Sequence, residues 1–517
     1  MTAVQDESAD TSAPSQGPTS EVLEVTSPLT GDVIGTYPVH SKQQVADVVA
    51  AAHEWAEWWR TIGHVGRRDV LQRWRTTIAD RLSDLVEVVH QETGKPRPDA
   101  LIEAALAVDH LAWAAKHAEK VLGRHKVSSG LLMANQAASV EYLPLGVIGV
   151  IGPWNYPVFT PMGSIAYALA AGNAVVFKPS ELTPGVGVWL ADTLSEVVPG
   201  QGLLQVVTGY GETGNALCRA DVDKVAFTGS PATGRKIMAA CAETLTPVLI
   251  EAGGKDPMIV ADDADVTAAA DAAAWGAFSN AGQTCAGVER VYVHQDVYDE
   301  FLAELTRRAK ELHAGADDGA KIGPMTLVGQ VDIARRHIDD ALARGGRAVV
   351  GGPDAVDGRY IQPTVLVDVP EDSSAITEET FAPTVTVTKV RDLDEAVERA
   401  NSTHYGLGST VFSRAHGMEL ASRIRSGMTA INGVISFAGI PELPFGGVGE
   451  SGFGRIHGPD GLKEFTYAKA IARQRMKPPI ALTTFDRTER AEKALGTLIA
   501  TLHGGVARLP GRAGRGR

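Results

Sequence analysis

Cysteine is scarce in this chain. Its 517 residues include Cys218, Cys241 and Cys285 and no others, too few for a disulfide framework and not spaced as a metal cluster. No basic and then apolar stretch typical of a signal peptide is present at the N-terminus, and no apolar run is long enough to cross a membrane. These absences predict a protein of the reducing cytoplasm that holds no structural metal.

Positive charge is also in short supply. The chain has 48 Lys and Arg against 62 Asp and Glu, a formal net charge of -14, and a pI of about 5.5. Because phosphate binding needs a basic face, this balance argues against a nucleic-acid partner. The length predicts two or three domains. Residues 1–20 are rich in Ser, Thr, Pro and Asp and are predicted to be a disordered leader.

The distribution of apolar residues predicts an α/β fold. Residues 22–39 have the pattern of a strand, a turn and a strand, and three- and four-residue spacing predicts two or three helices, at about Lys42–Trp59, Arg67–Glu92 and Pro98–Leu122. Short apolar runs then alternate with helical segments, at 147–151, 174–177, 203–207, 224–227, 248–250 and 258–260, and again near 291, 348, 385 and 410. Such a pattern is typical of parallel sheets covered on both faces. We therefore expect two α/β domains that meet near residues 251–255.

Cys285 ends the stretch Phe278-Ser-Asn-Ala-Gly-Gln-Thr-Cys, a polar turn between a helix-like and a strand-like run. A structural cysteine prefers an apolar core, whereas this one is placed where it can be reached. Taken alone, the residue is as consistent with a structural role as with that of a nucleophile.

Two glycine patterns have the spacing of a dinucleotide-binding motif. Gly209, Gly211 and Gly214 follow a predicted strand and open a helix, and Gly447, Gly449 and Gly452 share only the spacing. The motif belongs at the first strand of its unit, with an acidic residue about 20 positions later. Neither pattern meets this condition, so we do not assign pyrophosphate binding to them.

Seven motifs together carry a resemblance to a known family. In chain order they are Pro153-Trp-Asn-Tyr-Pro157, Phe177-Lys-Pro-Ser-Glu181, Phe227-Thr-Gly-Ser230 with Gly234, Glu251-Ala-Gly-Gly-Lys255, Gly282-Gln-Thr-Cys285, Glu378-Glu-Thr-Phe-Ala-Pro383, and Pro444-Phe-Gly-Gly447 through Gly454-Arg455. The chain resembles the aldehyde dehydrogenase superfamily over about residues 22–475. Ala252 and Ala382 depart from the family's usual Leu and Gly, and neither change removes a functional group.

The resemblance implies a division of the chain. Two Rossmann-like parallel-sheet domains are expected, with a small β arm for oligomerisation. The implied limits are 21–125 and 143–252 for NAD binding, 253–465 for catalysis, 126–142 and 466–478 for the arm, and 479–517 for a C-terminal helix and basic tail.

The resemblance also implies catalytic roles. Cys285 would attack the aldehyde as a thiolate, Glu251 would be the general base and later activate water, and Asn155 would donate to the oxyanion. Only about 3% of an unperturbed thiol is ionised at pH 7, so a base beside it is useful. From its neighbours alone, Asn155 is equally consistent with a turn residue.

A cofactor site follows from the resemblance in the same way. The implied contacts are Trp154, Lys178, Ser180, Glu181, Gly229, Ser230, Gly234, Glu379 and Phe381. A carboxylate at Glu181 favours a free ribose 2′-hydroxyl, which points to NAD, with NADP as the alternative.

The implied substrate pocket contains Tyr156, Phe159, Gly163 and Phe437, with Val434 and Ile435 at its entrance. These residues predict a mostly apolar tunnel for a medium or long aliphatic aldehyde, or an aromatic one. A succinate-semialdehyde-type dehydrogenase is the second interpretation, because residues 452–467 and 288–293 also resemble that subfamily. No Arg stands at the pocket positions to bind a substrate carboxylate, although Arg290 lies near Cys285 in sequence. A CoA-acylating relative and a catalytically inactive one are further alternatives. Glu251 argues against the first, and the complete set of site residues argues against the second.

The resemblance predicts a homodimer or homotetramer. Beyond Pro479, Leu495, Leu498, Ile499 and Leu502 have helical spacing and precede four arginines. Peripheral membrane contact is one interpretation of this tail. The interpretation that we favour is a helix packed on its own protein, because the apolar face is short.

Overall fold

The N-terminal part of the computed structural model is a hairpin followed by four helices. The structure describes residues 21–198, 200, 202–317, 319–477 and 483–504, so the predicted leader and the basic end of the tail lie outside the described residues. The elements are β1 (Val22–Thr26), β2 (Val33–Pro38), α1 (Lys42–Thr61), α2 (Gly63–Asp80), α3 (Leu82–Thr93) and α4 (Arg97–Leu122), followed by β3 (His125–Val127) and β4 (Gln136–Pro144). The prediction of one helix over Arg67–Glu92 is wrong, because the backbone leaves helical geometry at Arg81 (φ -113°, ψ 26°).

Five parallel strands alternate with helices in the next segment. In chain order the strands and helices of this segment are β5 (Val147–Ile151), α5 (Phe159–Ala171), β6 (Ala174–Lys178), α6 (Pro184–Ser195), β7 (Leu204–Val206), α7 (Gly211–Arg219), β8 (Lys224–Gly229), α8 (Pro231–Ala242) and β9 (Val248–Ala252). Every residue of β5 and β6 is buried, as expected for strands covered on both faces.

A second alternating series fills the chain from Asp256 onward. Its elements are β10 (Asp256–Val260), α9 (Val266–Phe278), β11 (Val288–His294), α10 (Tyr298–Glu311), α11 (Gly329–Ala343), β12 (Arg347–Val350), β13 (Val356–Asp357), β14 (Tyr360–Ile361), β15 (Thr364–Val367), α12 (Ser374–Thr377), β16 (Thr384–Val390), α13 (Leu393–Ala400), β17 (Thr410–Phe412), α14 (Gly417–Arg423), β18 (Ala430–Ile431), β19 (Gly452–Phe453), α15 (Gly458–Glu464), β20 (Thr466–Gln474) and α16 (Glu489–His503).

Two large sheets result, in agreement with the predicted α/β class. The first has the strand order β19-β9-β8-β5-β6-β7 and the second β12-β15-β16-β11-β10-β17-β18. Residues 253–255 separate β9 from β10, so the chain passes from one sheet to the other where the sequence predicted. The chain returns to the first sheet at Gly452–Phe453, where β19 pairs antiparallel with β9. The implied domain limits did not include this return.

The predicted arm segments form a three-stranded sheet of their own, in the order β20-β4-β3. Residues 124–141 and the described residues from 468 onward make up a separate compact unit. No residue of α16 is fully buried, and Leu495 and Leu498 are half-buried. Among the described residues no helix combines the length and the apolar character needed to span a membrane.

Candidate active site

The loop that carries Cys285 has an unusual backbone. It joins α9 to β11, and Asn280, Ala281 and Gly282 take positive φ angles of 50°, 55° and 69° in succession. Left-handed backbone is rare outside glycine. A Cβ atom on Gly282 would lie 2.1 Å from the carbonyl oxygen of Ala382, so only glycine fits here.

Hydrogen bonds join this loop to the segment after β5. The Asn155 side chain donates from Nδ2 to the carbonyl oxygen of Gln283 at 2.9 Å. The Asn280 side chain donates to the backbone oxygens of Asn155 and Gln283, each at 3.1 Å. The backbone N–H of Thr326 donates to Oε1 of Gln283 at 2.9 Å. Asn155 is therefore held beside the cysteine loop, 130 positions away in sequence.

A buried ion pair that the sequence analysis missed supports this arrangement. Nζ of Lys95 lies 2.5 Å from Oε2 of Glu103 and donates to the backbone oxygen of Asn155 at 2.8 Å. Oε1 of Glu103 accepts the backbone N–H groups of Val158 at 2.7 Å and Phe159 at 3.2 Å. The pair thus fixes both ends of segment 155–159. Sequence spacing could not reveal it, because its main targets lie more than 50 residues away.

Electrostatics keep the Cys285 thiol neutral in this state. Withdrawal from water raises the pKa of Cys285 well above its usual value, and the carboxylates of Glu251, Asp256 and Glu379 raise it further. A neighbouring base is therefore needed to form the thiolate.

Glu251 has the properties of such a base. It is the penultimate residue of β9 and is 2% exposed, and neither of its carboxylate oxygens has a hydrogen-bond partner among the described residues. Burial raises the pKa of Glu251 to about 7, while the nearby Cys285 thiol and Thr228 hydroxyl act in the opposite direction. A carboxylate with a pKa near neutrality is suited to both accepting and releasing a proton.

A second buried ion pair orders the segment that contains Glu379 and Phe381. Lys255 is paired with Glu289 and also donates to Oγ1 of Thr380 at 3.0 Å. Glu289 accepts the backbone N–H groups of Thr380 at 2.9 Å and Phe381 at 3.1 Å. The sequence analysis assigned no role to Glu289.

Glu379 and Phe381 face the same region as the catalytic candidates. Oε1 of Glu379 accepts the backbone N–H of Gly254 at 3.1 Å, and burial followed by the charge of Glu289 raises the pKa of Glu379 to about 8. The ring of Phe381 meets that of Trp154 edge-on, with centroids 5.6 Å apart and planes at 86°.

A cleft of about 850 Å³ lies at the carboxyl ends of the strands of the first sheet. Six of the predicted cofactor residues line it: Trp154, Lys178, Ser180, Glu181, Gly229 and Ser230. Nζ of Lys178 lies 3.6 Å from Oε2 of Glu181, and Ser230 caps the N-terminus of α8 by accepting the N–H of Thr233 at 3.3 Å. A cation, a carboxylate and a helix N-terminus in one cleft fit a dinucleotide.

Two predictions about glycines at this cleft need correction. Gly234 is not among the residues that line it, because it packs toward Ile250. Gly211 and Gly214 do line it. They therefore lie closer to the cofactor region than their position in the strand order indicated.

A narrow cavity of about 90 Å³, the aldehyde tunnel, leads to Cys285. Its lining is Asp99, Ile102, Glu103, Leu106, Tyr156, Phe159, Thr160, Trp275, Ser279, Asn280, Thr284, Cys285, Ala286, Ile435, Ala438, Phe445 and Ile456. Of the residues predicted for the substrate pocket and its entrance, Tyr156, Phe159 and Ile435 are among this lining, and Val434 is not.

Gly163 and Phe437 do not line the tunnel, contrary to the prediction. Gly163 is buried against other side chains, and a Cβ atom there would lie 2.8 Å from Nε2 of His457. Phe437 is 5% exposed, with its ring centroid 6.2 Å from that of Phe445. Gly163 is therefore small because His457 fills the space beside it.

Arg290 is also absent from the tunnel. It is 1% exposed, and its guanidinium donates to the backbone oxygens of Lys255, Arg399 and Ala400 and to the Tyr292 hydroxyl. Its hydrogen-bonding capacity is used inside the protein, so it does not offer a clamp for a substrate carboxylate.

Comparison with known proteins agrees with this geometry. Residues 15–471 match the Aldehyde dehydrogenase family. The chain belongs to this family. It is 39% identical over 457 residues to the 4,4'-diapolycopene aldehyde oxidase of Methylomonas sp. The aligned region covers 88% of this chain and 86% of that protein. The chain is 34% identical over 495 residues to a Mycolicibacterium smegmatis protein named "Putative succinate-semialdehyde dehydrogenase" with NADP(+), covering 94% of each.

Solved structures of other members of the family share the fold. The NAD-dependent aldehyde dehydrogenase from Sinorhizobium meliloti has a TM-score of 0.85 at 32% identity, covering 90% of this chain and 93% of that one. An NADP-dependent enzyme from E. coli has a TM-score of 0.84 at 33% identity, and the match covers 88% of this chain and 95% of that one. Relatives that share this fold are therefore named for NAD in one case and for NADP in another.

The backbone of the cysteine loop leads to the first prediction. Gly282→Ala should lower the melting temperature, because left-handed strain costs about 1–3 kcal/mol and the new methyl group meets the Ala382 carbonyl. Gly329→Ala is the matched control, since a methyl there would have no atom within 4 Å. Thermal unfolding measures both. Equal melting temperatures for the two variants would contradict the assignment of a required glycine.

Proposed function

We propose that this enzyme oxidises apolar aldehydes to carboxylic acids with NAD, using Cys285 as nucleophile, Glu251 as general base and Asn155 as oxyanion donor. The observation that carries the proposal is the position of Cys285, which lines a narrow, mostly apolar tunnel and interacts with the buried carboxylate of Glu251. Medium or long aliphatic and aromatic aldehydes form the substrate class.

The first step is attack on the aldehyde carbon. Glu251 takes the proton from Sγ of Cys285, and the thiolate adds to the carbonyl to form a thiohemiacetal. An amide side chain has two N–H donors, and Asn155 gives one to Gln283. The other is available to the oxyanion, together with the backbone N–H of Cys285. Each such donor typically contributes a factor of about 10² to 10³ in rate.

A nicotinamide cofactor supplies, when bound, the acceptor for the hydride that leaves the thiohemiacetal carbon. Lys178, Glu181 and Ser230 would hold its adenosine and pyrophosphate groups, and Glu379 and Phe381 its nicotinamide end. Glu251 releases the proton of the first step to solvent and, again ionised, accepts a proton from water as that water attacks the thioester. The acid leaves, and Glu251 returns this proton to Sγ of Cys285, which regains its thiol.

The charges of the tunnel support an apolar substrate over succinate semialdehyde. Among its described lining residues, Asp99 and Glu103 are the charged ones and neither Lys nor Arg is present. Glu103 is neutralised by Lys95, so Asp99 leaves an acidic wall that would repel a second carboxylate. The Methylomonas relative is named for 4,4'-diapolycopene aldehyde, which agrees with this choice, whereas the M. smegmatis relative is named for succinate semialdehyde.

Hydrolysis is favoured over transfer to CoA because Glu251 is present and suited to activating water. The separate sheet β20-β4-β3 supports a homodimer or homotetramer built through the arm.

The net charge of -14 argues against a nucleic-acid partner, and the three unpaired cysteines fit the reducing cytoplasm.

The direct test of the proposal is absorbance of NADH in CoA-free buffer with hexanal, decanal, benzaldehyde and succinate semialdehyde. Wild type should produce NADH with the three apolar aldehydes at a kcat/KM at least about tenfold above that for succinate semialdehyde, the equivalent of about 1.4 kcal/mol. Cys285→Ala should produce none. Cys241→Ala is the matched control, because that buried thiol on α8 lines neither the cleft nor the tunnel. A preference for succinate semialdehyde would overturn the substrate class.

The pKa of Glu251 sets the expected pH dependence. The general base must be ionised, so kcat/KM should fall about tenfold per unit of pH below about 7 and level off above it. In Glu251→Gln the activity should be lost, and any remaining kcat/KM should not show this fall at low pH. A limb centred above about 8.5, the range of a free thiol, would instead assign the titration to Cys285.

Cofactor choice depends on Glu181 in this proposal. Glu181→Gln should raise the NADP:NAD ratio of kcat/KM by about tenfold, because it removes a negative charge that would face a 2′-phosphate. Glu212→Gln removes a carboxylate from the same cleft at another position and should change the ratio less. Equal ratios in the two variants would remove Glu181 from this role.

A further inference from the structure

A second cavity meets the aldehyde tunnel at its wall. This distal groove has a volume of about 400 Å³ and is lined by Asp99, Asp271, Ala274, Trp275, Phe278, Ser279, Arg308, Glu311, Leu312, Lys321 and Ile322. Asp99, Trp275 and Ser279 line both the groove and the tunnel. The two spaces are therefore neighbours that share one wall.

The tunnel alone is small for a ligand site. Its volume of about 90 Å³ is well below the roughly 300–1,000 Å³ of a typical small-molecule pocket. Tunnel and groove together fall within that range. A ligand whose reactive end reaches Cys285 can fill a site of ordinary size only if its other end extends into the groove.

The surface of the groove suits a hydrocarbon chain. Trp275 on α9 is 45% exposed, an unusual position for a large aromatic side chain that lines a cavity. Leu312, half-buried at the end of α10, also lines the groove, together with Phe278 and Ile322.

The charges of the groove do not form a site for an anion. Arg308 is bound by Asp271 and by Glu304, whose Oε1 lies 3.0 Å from its Nε. Asp99 and Glu311 add two negative charges against the one positive charge of Lys321, whose side chain is exposed. An uncharged tail is therefore the occupant that this surface favours.

We propose that the distal groove binds the far end of a long aliphatic aldehyde, and that Trp275 and Leu312 determine chain-length specificity. This inference rests on the proposed function, since it takes Cys285 as the residue that meets the aldehyde group. The enzyme's substrate class is then long-chain aldehydes, whose first carbons fill the tunnel and whose remaining methylene groups cover Trp275.

Chain-length kinetics test the proposal. For wild type, kcat/KM should rise from hexanal through octanal and decanal to dodecanal, by up to about fourfold for each methylene withdrawn from water. Leu312→Asp places a carboxylate in the groove and should lower the dodecanal:hexanal ratio at least tenfold. Trp275→Ala should lower the same ratio, and Trp275→Phe should restore most of it.

The control is Met418→Ala, which truncates an apolar side chain that is 78% exposed on α14 and lines neither cavity. The dodecanal:hexanal ratio of kcat/KM of this variant should match that of wild type. A flat dependence on chain length in wild type would overturn the proposal, as would equal losses with hexanal and dodecanal in both groove variants.

Binding without turnover separates this proposal from the proposed function. Calorimetry with dodecanol and hexanol on Cys285→Ala protein should show tighter binding of dodecanol, and Leu312→Asp in that background should reduce the difference. If no aldehyde yields NADH, the proposed function fails while this measurement still decides the groove. Equal affinity for the two alcohols would overturn the groove assignment even if hexanal were oxidised.

Discussion

The buried pair of Lys95 and Glu103 is the interaction on which the geometry of the catalytic site most depends. One carboxylate oxygen of Glu103 is 2.5 Å from the ammonium group, and the other accepts two backbone N–H groups at the start of α5. Loss of one partner from such a pair typically costs about 3–5 kcal/mol, because it leaves a buried charge without compensation. The pair fixes Asn155 through its backbone, and Asn155 in turn contacts the loop of Cys285.

Lys255 and Glu289 have a similar function for the segment that contains Thr380 and Phe381. Glu289 accepts the backbone N–H groups of Thr380 and Phe381, so the residues proposed to face the nicotinamide are held by an ion pair inside the protein. Both pairs act on backbone groups. They therefore position the residues on either side of the site through hydrogen bonds to the backbone.

Much of the fold followed from periodicity and turn chemistry. The hairpin at 22–39, the alternation of buried strands and helices, and the passage between sheets at 253–255 are local patterns, and they were predicted. The break between α2 and α3 at Arg81 was not predicted, because the apolar spacing continues through it and a single change of φ ends the helix. The pairing of Gly452–Phe453 with β9 was missed for another reason. It joins segments 200 residues apart, and a two-residue strand has no period of its own.

Within the site, the residue types and their order were readable, whereas their surroundings were not. Motifs containing Asn155, Glu251 and Cys285 carried the family resemblance, and that membership is confirmed. The roles of these residues remain predictions. Gly163 shows the limit of reasoning from position, because its small size accommodates His457, which is distant in sequence, and not a substrate.

The sequence by itself determined the class of fold, the family and the groups available for chemistry, since these depend on local patterns and on motifs that stay intact along the chain. Only the tertiary structure decided which charges face one another. The pKa of Glu251 is raised because folding removes the group from water, and the pKa of Cys285 is raised because folding also brings carboxylates from separate segments close to it. The apolar path to Cys285 was decided in the same way, because its walls come from α4, α5, α9 and the loops after β18, and a cavity exists only where such distant segments pack.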